Sequence, residues 1–256
     1  MLQALDLGKV FGAEDERPVE VVRTISLALE RGEIVSIVGP SGCGKTTLLN
    51  LICGLLPATR GAVLWHGRQM TGAPRGVGYM LQKDLLLPWR TARENVALGL
   101  QIRHAPRRER EARAAALLEQ LGVGGFADHY PSTLSGGMRQ RVALARTLAT
   151  DPEVLLLDEP FSALDFQTKI LIERDTAQLV RGQGRALLLI THDVEEAVCL
   201  SDRVVVLSRR PCTIVSEHRI ELPGDRTDMI AARETSAFAA YVRAIWGELD
   251  IGRAAA

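Results

Sequence analysis

The stretch Gly39-Pro-Ser-Gly-Cys-Gly-Lys45-Thr46 constrains this chain more than any other. It fits GxxxxGK[ST] and lies between an apolar run, Ile34–Val38, and a helical stretch, Thr46–Cys53, that Gly54 stops. Glycines here let backbone N–H groups converge at the start of a helix, where the helix dipole adds to their attraction for phosphate oxygens. The pattern alone arises by chance in about one chain in a hundred of this length; the strand before it and the helix after it make it a phosphate-binding loop. A buried strand, a tight loop and a helix in that order open an α/β core. Residues Gly39, Pro40, Ser41, Gly42, Cys43, Gly44, Lys45, Thr46 and Thr47 are expected to surround the phosphates of ATP. Lys45 would reach the β- and γ-phosphates, and the Thr46 hydroxyl would ligate Mg²⁺.

Two further clusters bear on the same chemistry. Val154-Leu-Leu-Leu-Asp158-Glu159-Pro160 delivers two carboxylates at the C-terminal end of a strand, where open α/β sheets bind ligands. Successive strand residues face opposite ways, so Asp158 suits the magnesium shell and Glu159 suits a general base that polarises an attacking water. In Leu134-Ser-Gly-Gly-Met-Arg-Gln-Arg141 a serine and two glycines open a helical segment, which makes a second anion site. A single ATP does not need two such loops in one chain.

Composition excludes other classes. Lys+Arg and Asp+Glu are both 31, so no global field draws the chain onto nucleic acid. The run Arg107-Arg-Glu-Arg-Glu-Ala-Arg113 alternates in sign and reads as a solvated helix face. Cys43, Cys53, Cys199 and Cys212 are scattered, with no CxxC pair and no zinc spacing. The N-terminus lacks a secretory pattern, and no apolar run approaches the roughly 18–20 residues of a membrane span. A cytosolic location is expected.

Residues 1–38 read as an antiparallel opening with a charged turn at Glu14–Pro18, ending in the strand Ile34–Val38. Ala62–His66 reads as a strand, Gly67–Gly76 as a loop and Val77–Leu81 as a strand. From about 85 to 150 the sequence turns helical, for example over Arg107–Leu121 behind Pro106. Strand signals return at Val154–Leu157, Ala186–Ile190 and Val204–Leu207. The expected organisation is one domain over 1–210 with a helical insertion, then a short extension over 211–256 ending in a helix near Ser236–Trp246.

In this order the phosphate-binding loop, Leu-Ser-Gly-Gly-x-x-Gln-Arg and Asp-Glu-Pro resemble the ATPase subunit of ABC transporters. Ser162-Ala-Leu-Asp165 resembles that family's D-loop, Thr191-His192-Asp193 its switch histidine, and Gln82 the glutamine between core and helical subdomain. The resemblance implies a P-loop NTPase core of class α/β with an N-terminal antiparallel β-subdomain and an inserted α-helical subdomain. It implies catalytic roles for Glu159, His192 and Gln82, with Thr46, Gln82 and Asp158 around magnesium and Phe11 as a candidate to stack on adenine. It also implies a head-to-tail homodimer in which Ser135, Gly136, Gly137 and Gln140 act on the partner subunit's ATP, with Asp165 in the D-loop.

Leu85-Leu-Leu-Pro-Trp-Arg-Thr91, with Glu94-Asn95-Val96, resembles importers of nitrate, sulfonates and taurine. That implies a peripheral subunit on the cytoplasmic face of a bacterial inner membrane. Leu86, Leu87 and Trp89 would be candidate contacts to an integral membrane permease, served in turn by an external solute-binding protein. An exporter ATPase, or one from DNA repair or the ribosome, is the alternative; no extended heptad run or second cassette favours it.

Overall fold

The chain begins with strand β1 (Leu2–Phe11), which pairs antiparallel with β2 (Val19–Leu29) and with β4 (Arg60–Trp65), itself paired to the short β5 (Arg68–Gln69). The computed structural model describes residues 1–12, 17–224 and 228–254, with side chains through residue 249. Residues 14–16 of the expected charged turn lie outside the described residues.

The second sheet has the order β10-β9-β3-β8-β7-β6. Its members are β3 (Ile34–Val38), β6 (Val77–Met80), β7 (Val154–Asp158), β8 (Ala186–Ile190), β9 (Arg203–Leu207) and β10 (Ile214–Arg219). All neighbours run parallel except β10, which closes the edge antiparallel to β9. Strands β3, β7 and β8 are buried along their whole length, as parallel strands covered on both faces must be.

Alternate residues of those strands feed two different cores. Val35, Ile37, Leu156 and Leu188 join the side that packs on α1 (Lys45–Ile52) and the antiparallel sheet. Val38, Leu155, Leu157 and Leu189 join the side built with the remaining helices. These are α2 (Ala92–Ile102), α3 (Arg107–Gln120), α4 (Gly136–Ala149), α5 (Phe166–Gly182), α6 (Val194–Leu200), α7 (Met229–Arg233) and α8 (Ser236–Ala254). Helix α2 opens with a capping box, in which Thr91 and Glu94 satisfy each other's backbone N–H groups. Helices α2, α3 and α4 pack together between β6 and β7 in the chain, filling the stretch read as helical.

Leu86 is buried in that helical core. It therefore cannot meet a partner directly, which corrects the expectation for this residue. Trp89, three residues on, is 70% exposed. The tail adds more than the sequence signalled: β10 completes the main sheet, and α8 runs on past Trp246.

Candidate functional site

Four adjacent strands, β3, β8, β7 and β6, deliver their C-terminal ends to one edge of the sheet. That edge receives the loop Gly39–Gly44 from β3, Thr191 and His192 from β8, Asp158 and Glu159 from β7, and Gln82 just beyond β6. In an open parallel sheet this edge is where helix N-termini and loops can surround a ligand.

The phosphate-binding loop turns directly into α1 at Gly44, whose φ of 123° is open to glycine alone. A Cβ there would also press Val21 at 3.0 Å and the Cys212 sulfur at 3.3 Å. Lys45, largely buried, turns its ammonium back along the loop, donating to the Gly39 and Pro40 carbonyls at 2.8 and 3.0 Å. Thr47, the third residue of α1, is half-buried, and Cys43 is buried under the loop, where burial raises its thiol pKa.

The Thr46 hydroxyl donates to the Asp158 carboxylate at 2.8 Å. Burial pushes Asp158 up from its ordinary value and neighbouring Glu159 adds to this, against the Thr46 hydrogen bond and Lys45. A carboxylate and a hydroxyl held together form the hard oxygen pair that magnesium takes, since that ion keeps most of its shell as water and phosphate. These residues fit the ion.

Glu159 leaves the strand in a left-handed conformation, φ 50°, its amide donating to the Ile190 carbonyl at 2.9 Å. That turn carries its carboxylate away from Asp158 and toward two other groups. Gln82 donates its amide to it at 3.2 Å, and His192 Nδ1 lies 3.3 Å away. His192 is well exposed, so its ring can meet a ligand arriving from outside.

Ser135 caps α4, accepting from the Met138 amide at 3.2 Å, and is itself exposed. Gly137 lies against the loop Ser162–Asp165, where a Cβ would meet Leu164 at 3.0 Å, and Gly136 is half-buried beside it. Gln140 differs from expectation. Its side chain is buried and grips that same loop, accepting from the Ala163 amide at 3.2 Å and donating to Ser162 Oγ at 3.4 Å. Asp165 caps α5, and the Thr168 amide it accepts holds its carboxylate below the ordinary range.

Phe11 stands at the far end of β1, 40% exposed, with the Lys9 ammonium 5.1 Å from its ring centre. It does not line the cavity at the phosphate-binding loop. That cavity, about 760 Å³, is instead bounded by Gly39–Cys43, His192, Arg209, Arg210, Trp246 and Leu249. Arg210 donates to the Gly42 carbonyl at 3.0 Å. Trp246 and Leu249 reach this cavity from α8, far along the chain from the loop, which no local pattern encodes.

The family description "ABC transporter" matches residues 22–162. The chain belongs to the ABC transporter family. As an ATP-binding protein of this family it hydrolyses ATP to power transport. The ABC cassette is 45% identical to the nitrate import ATP-binding protein of Synechocystis sp., over 88% of this chain and 84% of that one. It is 40% identical to a taurine import ATP-binding protein of Rhizobium johnstonii over the full length of both. It is 45% identical to an aliphatic sulfonates import ATP-binding protein of Xanthomonas axonopodis pv. citri, over 88% of each. Among solved structures, the dimeric, post-hydrolysis ATP-binding cassette MJ0796 with ADP and Pi superposes with a TM-score of 0.79 at 31% identity, covering 86% of this chain and 99% of that one.

Proposed function

We propose that this cassette energises an importer for nitrate, an alkanesulfonate, taurine or a related small solute, as one of two ATPase subunits beneath a separate membrane permease. The observation that carries the catalytic part is the convergence of Gln82 and His192 on the Glu159 carboxylate, beside the Thr46–Asp158 pair. The importer part is supported by relatives named for nitrate, sulfonate and taurine import. No described helix is long and apolar enough to cross a membrane. A separate permease and a peripheral place at the cytoplasmic face belong to the proposal, supported by the relatives named for import.

The geometry supports the following roles. Backbone N–H groups within Gly39–Thr46, Pro40 excepted, and the Lys45 ammonium hold the β- and γ-phosphates, and Phe11 remains the candidate to stack on the base. Thr46 and Asp158, with Gln82 near, would hold magnesium, which would supply neutralisation of phosphate charge. Glu159 accepts a proton from water as its oxygen attacks the γ-phosphorus and the bond to the ADP oxygen breaks. Gln82 and His192 fix that carboxylate and the water against it. Ser135, Gly136 and Gly137, at the open start of α4, meet the γ-phosphate of a second copy's ATP; Gln140 holds the loop behind them. Closure of the dimer on ATP and its opening after hydrolysis supply the stroke.

Replacing Glu159 by Gln keeps the hydrogen bond from Gln82 a near match but removes the base. Phosphate release should fall by about 100-fold or more, and an ATP-bound dimer should accumulate in size-exclusion chromatography. Rapid turnover by this variant would reject Glu159 as the base.

A further inference from the structure

Behind His192 lies a cluster of charges that the reaction above does not use. Lys169 sits in the first turn of α5, its amide bonded to the Asp165 carbonyl at 2.8 Å. Its side chain is mostly buried, and the ammonium lies 2.7 Å from Asp193, 2.6 Å from Glu196 and 3.7 Å from Glu173. Burial works against that charge, but Glu196 and Asp193 outweigh it and hold the ammonium above its ordinary pKa.

Asp193 is committed on both oxygens. One caps α6, accepting the Glu195 and Glu196 amides at 3.0 and 3.1 Å; the other takes Lys169. Its own amide donates to the Thr191 hydroxyl at 3.0 Å. His192 is thus the residue between two anchored neighbours, and its ring points at Glu159. A small cavity of about 100 Å³ joins the same groups, lined by Glu159, Ser162, Lys169, His192 and Asp193 among others.

The cluster is a poor way to stabilise a core. Among the described residues, both oxygens of Glu173 and one of Glu196 have no hydrogen-bond partner, and Arg233 reaches Glu173 only at 3.7 Å. Apolar residues of similar volume usually serve stability as well or better than buried ion pairs. What the charges do supply is direction: the ammonium of one helix locks a carboxylate one residue from the switch histidine. We propose that Lys169 is a positioning residue for hydrolysis, fixing His192 against Glu159 by clamping Asp193 to the helix that starts at Asp165.

The proposal rests on the roles given above to Glu159 and His192. It also ties the loop Ser162–Asp165, which Gln140 grips from the start of α4, to the switch histidine of the same chain through one side chain. A helix that moves when a second copy docks at that loop therefore moves His192.

The test is steady-state ATP hydrolysis and nucleotide binding by the full chain. Lys169→Met should lower kcat by about 10- to 100-fold, the loss expected for a misplacement near 1 Å. KM and nucleotide affinity should stay within about twofold, because the phosphate-binding loop is untouched. Lys169→Arg should recover most of the rate. Asp193→Asn keeps a capping oxygen but loses the charge; it should show the same kcat loss, and the double variant should lose no more than either single one. Should Lys169→Met fail to fold, Asp193→Asn alone decides by its kcat. A kcat within about twofold of wild type in either folded variant, or losses that multiply in the double variant, overturns the proposal. His192→Ala and Glu159→Gln run alongside: if these keep turnover, the site assignment itself falls and this proposal with it. If they lose turnover while Lys169→Met keeps it, only the positioning role falls.

Discussion

Asn95 is the residue through which the loop Leu85–Arg90 should be most sensitive to change. Its side chain is fully buried and turned back on the loop. Oδ1 accepts from the Leu87 amide at 2.7 Å, and Nδ2 faces the carbonyls of Leu87, Arg90 and Thr91 at 3.2, 3.1 and 3.0 Å. Nδ2 has two hydrogens, so two of the three carbonyls are served at once. In Asn95→Leu the Leu87 carbonyl keeps the Arg90 amide and the Thr91 carbonyl keeps the amide of residue 95. The Leu87 amide and the Arg90 carbonyl each lose a partner, at about 1–3 kcal/mol apiece. The added apolar burial offsets about 1 kcal/mol of that, so the net cost is about 3 kcal/mol. For a chain of this length 1 kcal/mol moves Tm by about 2–4 °C, and the melting point should drop by about 6–12 °C. Circular dichroism melts measure this directly, and limited proteolysis should show faster cutting within 85–90. A shift under about 2 °C with unchanged proteolysis would show that the loop does not depend on Asn95.

Two further outcomes are expected. Trp89→Ala should weaken copurification with the permease while leaving ATP affinity unchanged, because Trp89 is exposed on the loop that Asn95 holds; an intact complex would remove Trp89 from the docking surface. Glu173 is fully buried, and burial together with Glu196 pushes its pKa from 4.5 up to about 8 against the pull of Lys169 and Arg233. A raised folded-state value means a contribution present below pH 4.5 and lost as pH rises through about 8, with a slope near 1.4 kcal/mol per pH unit at most. The Tm advantage of Glu173→Gln over wild type should therefore grow between pH 5 and pH 8, and parallel pH curves would refute the shift.

The parts of the fold legible in the sequence are those specified by local pattern. Ala186–Ile190 is a continuous apolar run and Ile34–Val38 is one broken only by Ser36, and both are strands with those boundaries. Helix α3 starts directly after Pro106. Strand β10 escaped notice because it lies at a sheet edge and alternates half-buried with exposed positions, with Ser216 and His218 among the inner ones. The pairing of Thr46 with Asp158 and of Gln82 and His192 with Glu159 could be expected once the loops were placed on neighbouring strand ends. Gln140 could not: its position in the motif says nothing of which way the side chain turns, and the return of the loop at Ala163 decides it. Lys169 and Arg210 likewise act through contacts 24 and 168 residues distant in sequence.

Glu159 holds its carboxylate in place by a backbone turn at φ 50°, a conformation that costs a side chain like glutamate about 1 kcal/mol or more and that asparagine or glycine tolerates better. The residue assigned as the base is therefore not the residue the chain would choose for its own stability. On the proposed role, a residue that suits this turn better should give a cassette that folds and binds ATP but does not turn over. An acid in a turn that disfavours it is then explained by the proposed reaction and not by folding, so the identity of residue 159 reports on turnover.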